Sequence, residues 1–191
     1  MKLIECPRDA MQGIPQQIAT KTKIDYINQL LKVGFDTIDF GSFVSPKAVP
    51  QMADTADVLQ GLDLSGPSKL LAIVANMKGA EQAISHQQIS YLGYPFSISE
   101  TFQQRNTNKG IAESQQLVNE IMTLLDMQEL VIYISMGFGN PYGDKWSPDI
   151  VEKYADQLIE MGVRTISLAD TVGIAEGKTI ASVFNRLSKS F

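Results

Sequence analysis

Leu30-Leu31-Lys32-Val33-Gly34-Phe35-Asp36-Thr37-Ile38 reads as a helix end, a glycine cap, a two-residue loop and the start of a strand. The pattern returns at Leu158-Ile159-Glu160-Met161-Gly162-Val163-Arg164-Thr165-Ile166, 128 residues later. Between these points, short apolar runs alternate with helical periodicity. Strands are predicted over Lys2–Cys6, Thr37–Phe40, Lys69–Val74, Gln88–Tyr94, Glu129–Ser135 and Thr165–Leu168. The two glycines stand four units apart, so a unit averages about 32 residues, the size of a strand–helix crossover. Such alternation implies a parallel sheet covered by helices.

Local signals mark the helices. Thr22 with Asp25 reads as an N-cap pair, Ile24, Ile27, Leu30 and Leu31 form one apolar face, and Gly34 takes the left-handed end. Ser45-Pro46 and Ser147-Pro148 each read as an N-cap followed by proline at the first helical position. The second predicts a helix with Ile150, Val151, Tyr154, Leu158 and Ile159 inward and Gly162 closing it. Six units account for nearly the whole chain. A (β/α)₈ barrel needs eight units and about 250 residues, and six can also form an open doubly wound sheet.

With 191 residues and 44% apolar content, residues 1–191 are expected to form a single domain. The formal charge of −5 speaks against a nucleic-acid partner. The apolar runs are too short to span a membrane, and the N-terminus MKLIECPRD lacks the apolar stretch of a secretory signal. One cysteine, Cys6, excludes an internal disulfide and suits a reducing, cytoplasmic compartment. One histidine, His86, excludes a histidine-rich metal site supplied by this chain alone.

Ligands of both candidate folds bind at the carboxyl ends of the strands. Arg8 and Asp9 follow strand one directly, either as a turn pair or as an oxyanion-binding guanidinium beside a metal-binding carboxylate. Asp39 lies between Ile38 and Phe40 and so points to the opposite face of the strand, where a buried carboxylate requires a partner. Asp170 ends strand six, as a helix cap or a site residue. The glycine-rich loop from Ser135 to Asp144 lacks the spacing of a dinucleotide fingerprint. His86 reads as solvated surface, and Cys6 as a small core residue rather than a nucleophile.

Taken together, the chain resembles the DRE-type metallolyase family of TIM barrels, on its hydroxymethylglutaryl-CoA lyase branch. The likeness is collinear from Lys2 to about Gly173 and strongest in Ser42-Phe43-Val44-Ser45-Pro46-Lys47-Ala48-Val49-Pro50-Gln51-Met52-Ala53-Asp54. It extends to Pro7-Arg8-Asp9 with Gln12, Asn76-Met77-Lys78-Gly79, Ser99-Glu100-Thr101-Phe102 with Asn106, and Ser167 to Gly173. The resemblance implies a (β/α)₈ barrel of which about six units are present. It implies retro-Claisen cleavage of an acyl-CoA, 3-hydroxy-3-methylglutaryl-CoA, with a divalent Mg²⁺ or Mn²⁺ as cofactor. In that reading Asp9 is a metal ligand, Arg8 stabilises the enolate, and Asp39 and Asp170 are catalytic. Gln12, Ser42, Asn106 and Thr171 line the substrate, and Lys78 reaches the CoA phosphates. A homodimer is the expected full-length assembly.

Several positions depart from the family pattern. Asp39 stands where a glutamate is usual, Ala10 where a glycine is, and Met136 and Asn140 where many relatives have cysteines. A one-residue register shift would also turn Glu5 to the other face. The His-x-His ligands, an asparagine ligand and a mobile cysteine are expected beyond Phe191. The chain is thus expected to be the N-terminal three-quarters of such a lyase, with negligible turnover alone. A related acyl-CoA aldolase or synthase, and a non-enzymatic CoA-ester-binding remnant, are the alternatives. Unpaired edges on strands one and six predict self-association.

Overall fold

A computed structural model describes residues 1–190. The chain divides into two compact units, Met1–Gly93 with Asp126–Glu129, and Tyr94–Leu125 with Leu130 onward. The first carries β1 (Ile4–Glu5), α1 (Pro7–Gln12), α2 (Thr20–Val33), β2 (Thr37–Ser42), a 3₁₀ turn (Pro50–Met52), α3 (Thr55–Gln60), β3 (Lys69–Ile73) and α4 (Met77–Ile84). Strand β4 (Ile89–Ser97) passes from the first unit into the second. The second continues with α5 (Glu100–Thr107), α6 (Ile111–Leu124), β5 (Glu129–Ser135), α7 (Pro148–Glu160), β6 (Thr165–Leu168) and α8 (Gly177–Ser190).

The strands keep sequence order, β1-β2-β3-β4-β5-β6. In the first unit β1, β2, β3 and β4 pair in parallel, and in the second β5 and β6 do so. Every strand is followed by a helix, which makes the chain an α/β protein of the (β/α)₈ class holding six of its units. No helix among the described residues is long and apolar enough to cross a membrane.

Strand β2 is buried along its whole length. Its ladder to β3 shifts register between Asp39 and Gly41, and a Cβ on Gly41 would stand 2.5 Å from the Thr55 methyl group. The glycine therefore lets α3 close onto the strand end. Thr55 uses that approach to accept from the Ser42 amide at 3.1 Å, locking the carboxyl end of β2.

Helix boundaries follow local chemistry in some places and distant partners in others. Ser147 caps α7 by accepting from the Ile150 amide at 3.3 Å, with Pro148 next, and Gly34 and Gly162 sit at φ 85° and 94° after their helices. The Thr22–Asp25 cap is not formed. Helix α2 begins at Thr20 with Ala19 preceding it, and Asp25 instead pairs with Lys21 at 2.6 Å. The earlier start lets Thr20 and Lys23, one turn apart, both reach Asp54. Ser45-Pro46 opens a turn, not an α-helix: Ala48 and Val49 donate to the Ser45 carbonyl, and the chain then passes into the 3₁₀ turn. Pro50 has no N–H to give the Pro46 carbonyl, which ends any helix started there. Strand β1 is shorter than expected, and β2 and β4 run on to Ser42 and Ser97.

Candidate active site

Helix α1 follows β1 at once, and its six residues carry Arg8, Asp9 and Gln12. Beside it, Asp39 has no exposure to water. Arg8 Nε lies 3.1 Å from both Asp39 carboxylate oxygens, and its Nη2 donates to Oδ2 at 2.5 Å. This forked pairing satisfies the buried charge that β2 imposes. Arg8 Nη1 donates to Asp9 Oδ1 at 2.9 Å and to Gln12 Oε1 at 3.0 Å, while Gln12 Nε2 donates to the same Asp9 oxygen at 2.9 Å. The side chain of Asp9 is 64% exposed against 12% for Arg8. The guanidinium thus joins a dry carboxylate to a wet one.

Burial raises the Asp39 carboxyl above its ordinary value, and the Arg8 hydrogen bonds and charge pull it back. Burial, followed by the Asp39 charge, pushes the neighbouring Cys6 thiol up to about 11. A thiol held protonated is a poor nucleophile. Cys6 is half-buried at the β1–α1 junction rather than part of the core.

Of the nine residues singled out from the sequence, the structure brings Arg8, Asp9, Gln12 and Asp39 into one hydrogen-bonded cluster. Ser42 and Lys78 belong to the same unit. Ser42 is buried and spends its hydroxyl on the Ile73 carbonyl and the Val44 amide, whereas Lys78 is exposed in the first turn of α4. Asn106, Asp170 and Thr171 belong to the second unit. Asn106 is exposed on α5, while Asp170 accepts from the Ile174 and Ala175 amides at 3.0 Å each, closing the loop after β6. Thr171 Oγ1 accepts from the Met136 amide at 2.8 Å and so ties this loop to the one after β5.

Some features lay outside the sequence reading. His86 is not plain solvated surface: its ring stacks on Phe43 at 5.5 Å. Lys23 is 2% exposed and pairs with Asp54 at 2.7 Å. Asp144, late in the glycine-rich loop, accepts from Ser99 Oγ at 2.5 Å and Thr101 N at 3.0 Å, and these bonds hold its carboxyl below the usual range. Its signal was present as the acidic residue closing that loop. Lys23 stands at apolar-face spacing before Ile27 and Leu31, but its partner, 31 residues away, had no local signature.

Among the described residues no three His, Cys, Asp or Glu side chains are grouped to hold a metal ion. Asp9 can offer one carboxylate, and a hard divalent cation takes about six oxygen ligands. These residues alone do not make a metal centre.

The HMGL-like family model matches residues 3–191. The mitochondrial hydroxymethylglutaryl-CoA lyase of Mus musculus is 37% identical over 179 residues, covering 91% of this chain and 54% of that protein. A Bacillus subtilis hydroxymethylglutaryl-CoA lyase is 34% identical over 187 residues, covering 97% of this chain and 62% of its own. The chain therefore spans between about half and two-thirds of the length of these relatives. A crystal structure of the Bacillus subtilis enzyme superposes with a TM-score of 0.93 at 33% identity, covering 100% of this chain and 65% of that one. A lyase from Acinetobacter baumannii, in complex with coenzyme A and 3-methylmalate, gives 0.94 at 30% identity, covering 100% of this chain and 63% of that one. With six βα units in sequence order and a family match running almost end to end, the chain belongs to the HMGL-like family.

Proposed function

We propose that the protein containing this chain cleaves 3-hydroxy-3-methylglutaryl-CoA to acetyl-CoA and acetoacetate. The tertiary hydroxyl gives up its proton and becomes the ketone of acetoacetate. The adjacent carbon–carbon bond breaks, and its electron pair moves onto the thioester as an enolate. A proton taken up at carbon completes acetyl-CoA. The observation that carries this reading is the Arg8–Asp39 pair. Asp39 grips the Nε–Nη2 edge of the guanidinium and so fixes a positive charge of the kind that stabilises an enolate oxygen, with Nη1 toward the wetter side.

In the same reading Asp9 would supply one ligand to a divalent Mg²⁺ or Mn²⁺, which would contribute Lewis-acid polarisation when bound. Gln12 keeps Asp9 oriented. Ser42, Asn106 and Thr171 face the substrate, Lys78 takes the CoA phosphates, and Asp170 completes the catalytic set. The likeness to cytoplasmic and mitochondrial lyases, and to the Acinetobacter baumannii lyase solved with coenzyme A and 3-methylmalate, supports the substrate class. Incubating the full-length protein with a panel of acyl-CoA esters and Mg²⁺ tests it. Acetoacetate from 3-hydroxy-3-methylglutaryl-CoA is expected. Cleavage of another ester without acetoacetate would move the protein to a different reaction of the family.

A further inference from the structure

The stretch Ser42–Asp54 has the strongest family wording in the chain, yet only Ser42 has been given a part in the chemistry. Gln51 is 3% exposed. Its side-chain oxygen accepts from the Ile18 amide at 3.0 Å, and its nitrogen donates to the Ile14 and Gln16 carbonyls at 3.0 Å each. A carboxamide has two donors and an acceptor oxygen, so both donors and the acceptor are spent on one irregular segment. That segment, Gly13–Ala19, leaves the end of α1 directly. Three residues after Gln51, Asp54 accepts from Thr20 Oγ1 at 2.7 Å and from Lys23 Nζ at 2.7 Å, and Lys23 also donates to the Gln51 carbonyl.

Helix α1 needs such support. It has six residues, and the strand before it has two, with Leu3 and Ile4 58% and 52% exposed. A short helix on an exposed two-residue strand has little to fix its orientation from the N-terminal side. Met11 is buried, and α1 packs against the 3₁₀ turn. We propose that Gln51, braced by Asp54 and Lys23, is a positioning residue that sets α1 so that the Arg8 guanidinium meets Asp39. The catalytic consequence rests on the lyase reading; the placement of Arg8 does not.

The test uses the ¹⁵N-labelled full-length protein and follows the Arg8 Nε–H resonance, assigned by its loss in Arg8→Lys. Gln51→Met keeps length and apolar volume but removes all three hydrogen bonds. The Arg8 Nε–H and Ile18 N–H protons are expected to exchange with solvent about tenfold faster in this variant. Ile89→Val, a core change on β4 in the same unit, serves as the control and leaves both protons as in the parent. If Gln51→Met does not fold, Asp54→Asn decides, with the same direction and a smaller change. An Arg8 Nε–H unchanged in position and exchange in the folded variant would overturn the proposal. In the full-length enzyme kcat is expected to fall about tenfold to a hundredfold with little change in KM. Failure of the lyase reading gives no acetoacetate from the parent while the Arg8 resonance still responds. Failure of the positioning role leaves the resonance fixed, whatever the activity.

Discussion

Asp39 is a carboxylate shut away from water and gripped by a single guanidinium. Its native pKa is raised by burial from 3.8, so between that value and the native one the folded state binds more protons than the unfolded chain. The stability from this group is fully present below the unfolded value and is lost as pH rises through the native one. Asp39→Asn is therefore expected to flatten the decline in urea midpoint with rising pH above 3.8, and a profile parallel to the parent would contradict this. Cys6, the chain's one cysteine, reports on the same charge. With its thiol near 11, it should react slowly with iodoacetamide at neutral pH, and faster in Asp39→Asn, because the Asp39 charge is the second cause of the shift after burial. At this scale Asp39 was readable from the alternation of Ile38 and Phe40 around it. That its partner would be Arg8, 31 residues earlier, depended on how α1 is laid down and had no local signature.

At the level of elements, the ends set by nearest neighbours were readable and those set by distant partners were not. Ser147→Ala removes the bond to the Ile150 amide and is expected to cost about 1 kcal/mol in thermal or urea unfolding. Gly34→Ala forces a side chain onto φ 85° and should cost about 1 kcal/mol or more by the same measurement. Both residues act on the turn they stand in, which is why sequence periodicity located them. The start of α2 followed a different rule. Lys23 lies one turn before Ile27 on the apolar side of α2, and its ammonium can stay buried there because Asp54 and the Gln51 carbonyl come to meet it. Ser45-Pro46 carried a sound local cap signal, but a second proline four residues on removed the donor a helix would need.

Across the whole molecule, six strands in sequence order agree with the alternation of apolar runs, and the family wording at five loops agrees with the match along the chain. Apolar surface remains at both ends of the strand series. Val172, Ile174, Ile180 and Phe184 are 38%, 52%, 45% and 63% exposed around β6 and α8, and Leu3 and Ile4 are exposed at β1. The 191-residue chain is therefore expected to self-associate at tens of micromolar in light scattering, and Ile180→Glu with Phe184→Glu to reduce this. A clean monomer in the parent would contradict it. In the proposed lyase reaction, Arg8, seated on Asp39, stabilises the enolate. Acetoacetate release from 3-hydroxy-3-methylglutaryl-CoA by the full-length protein, compared with its Arg8→Gln variant, measures that role. Release by the parent and a loss of about 10²–10³ in kcat for the variant are expected; equal turnover by the two proteins would contradict this role of Arg8.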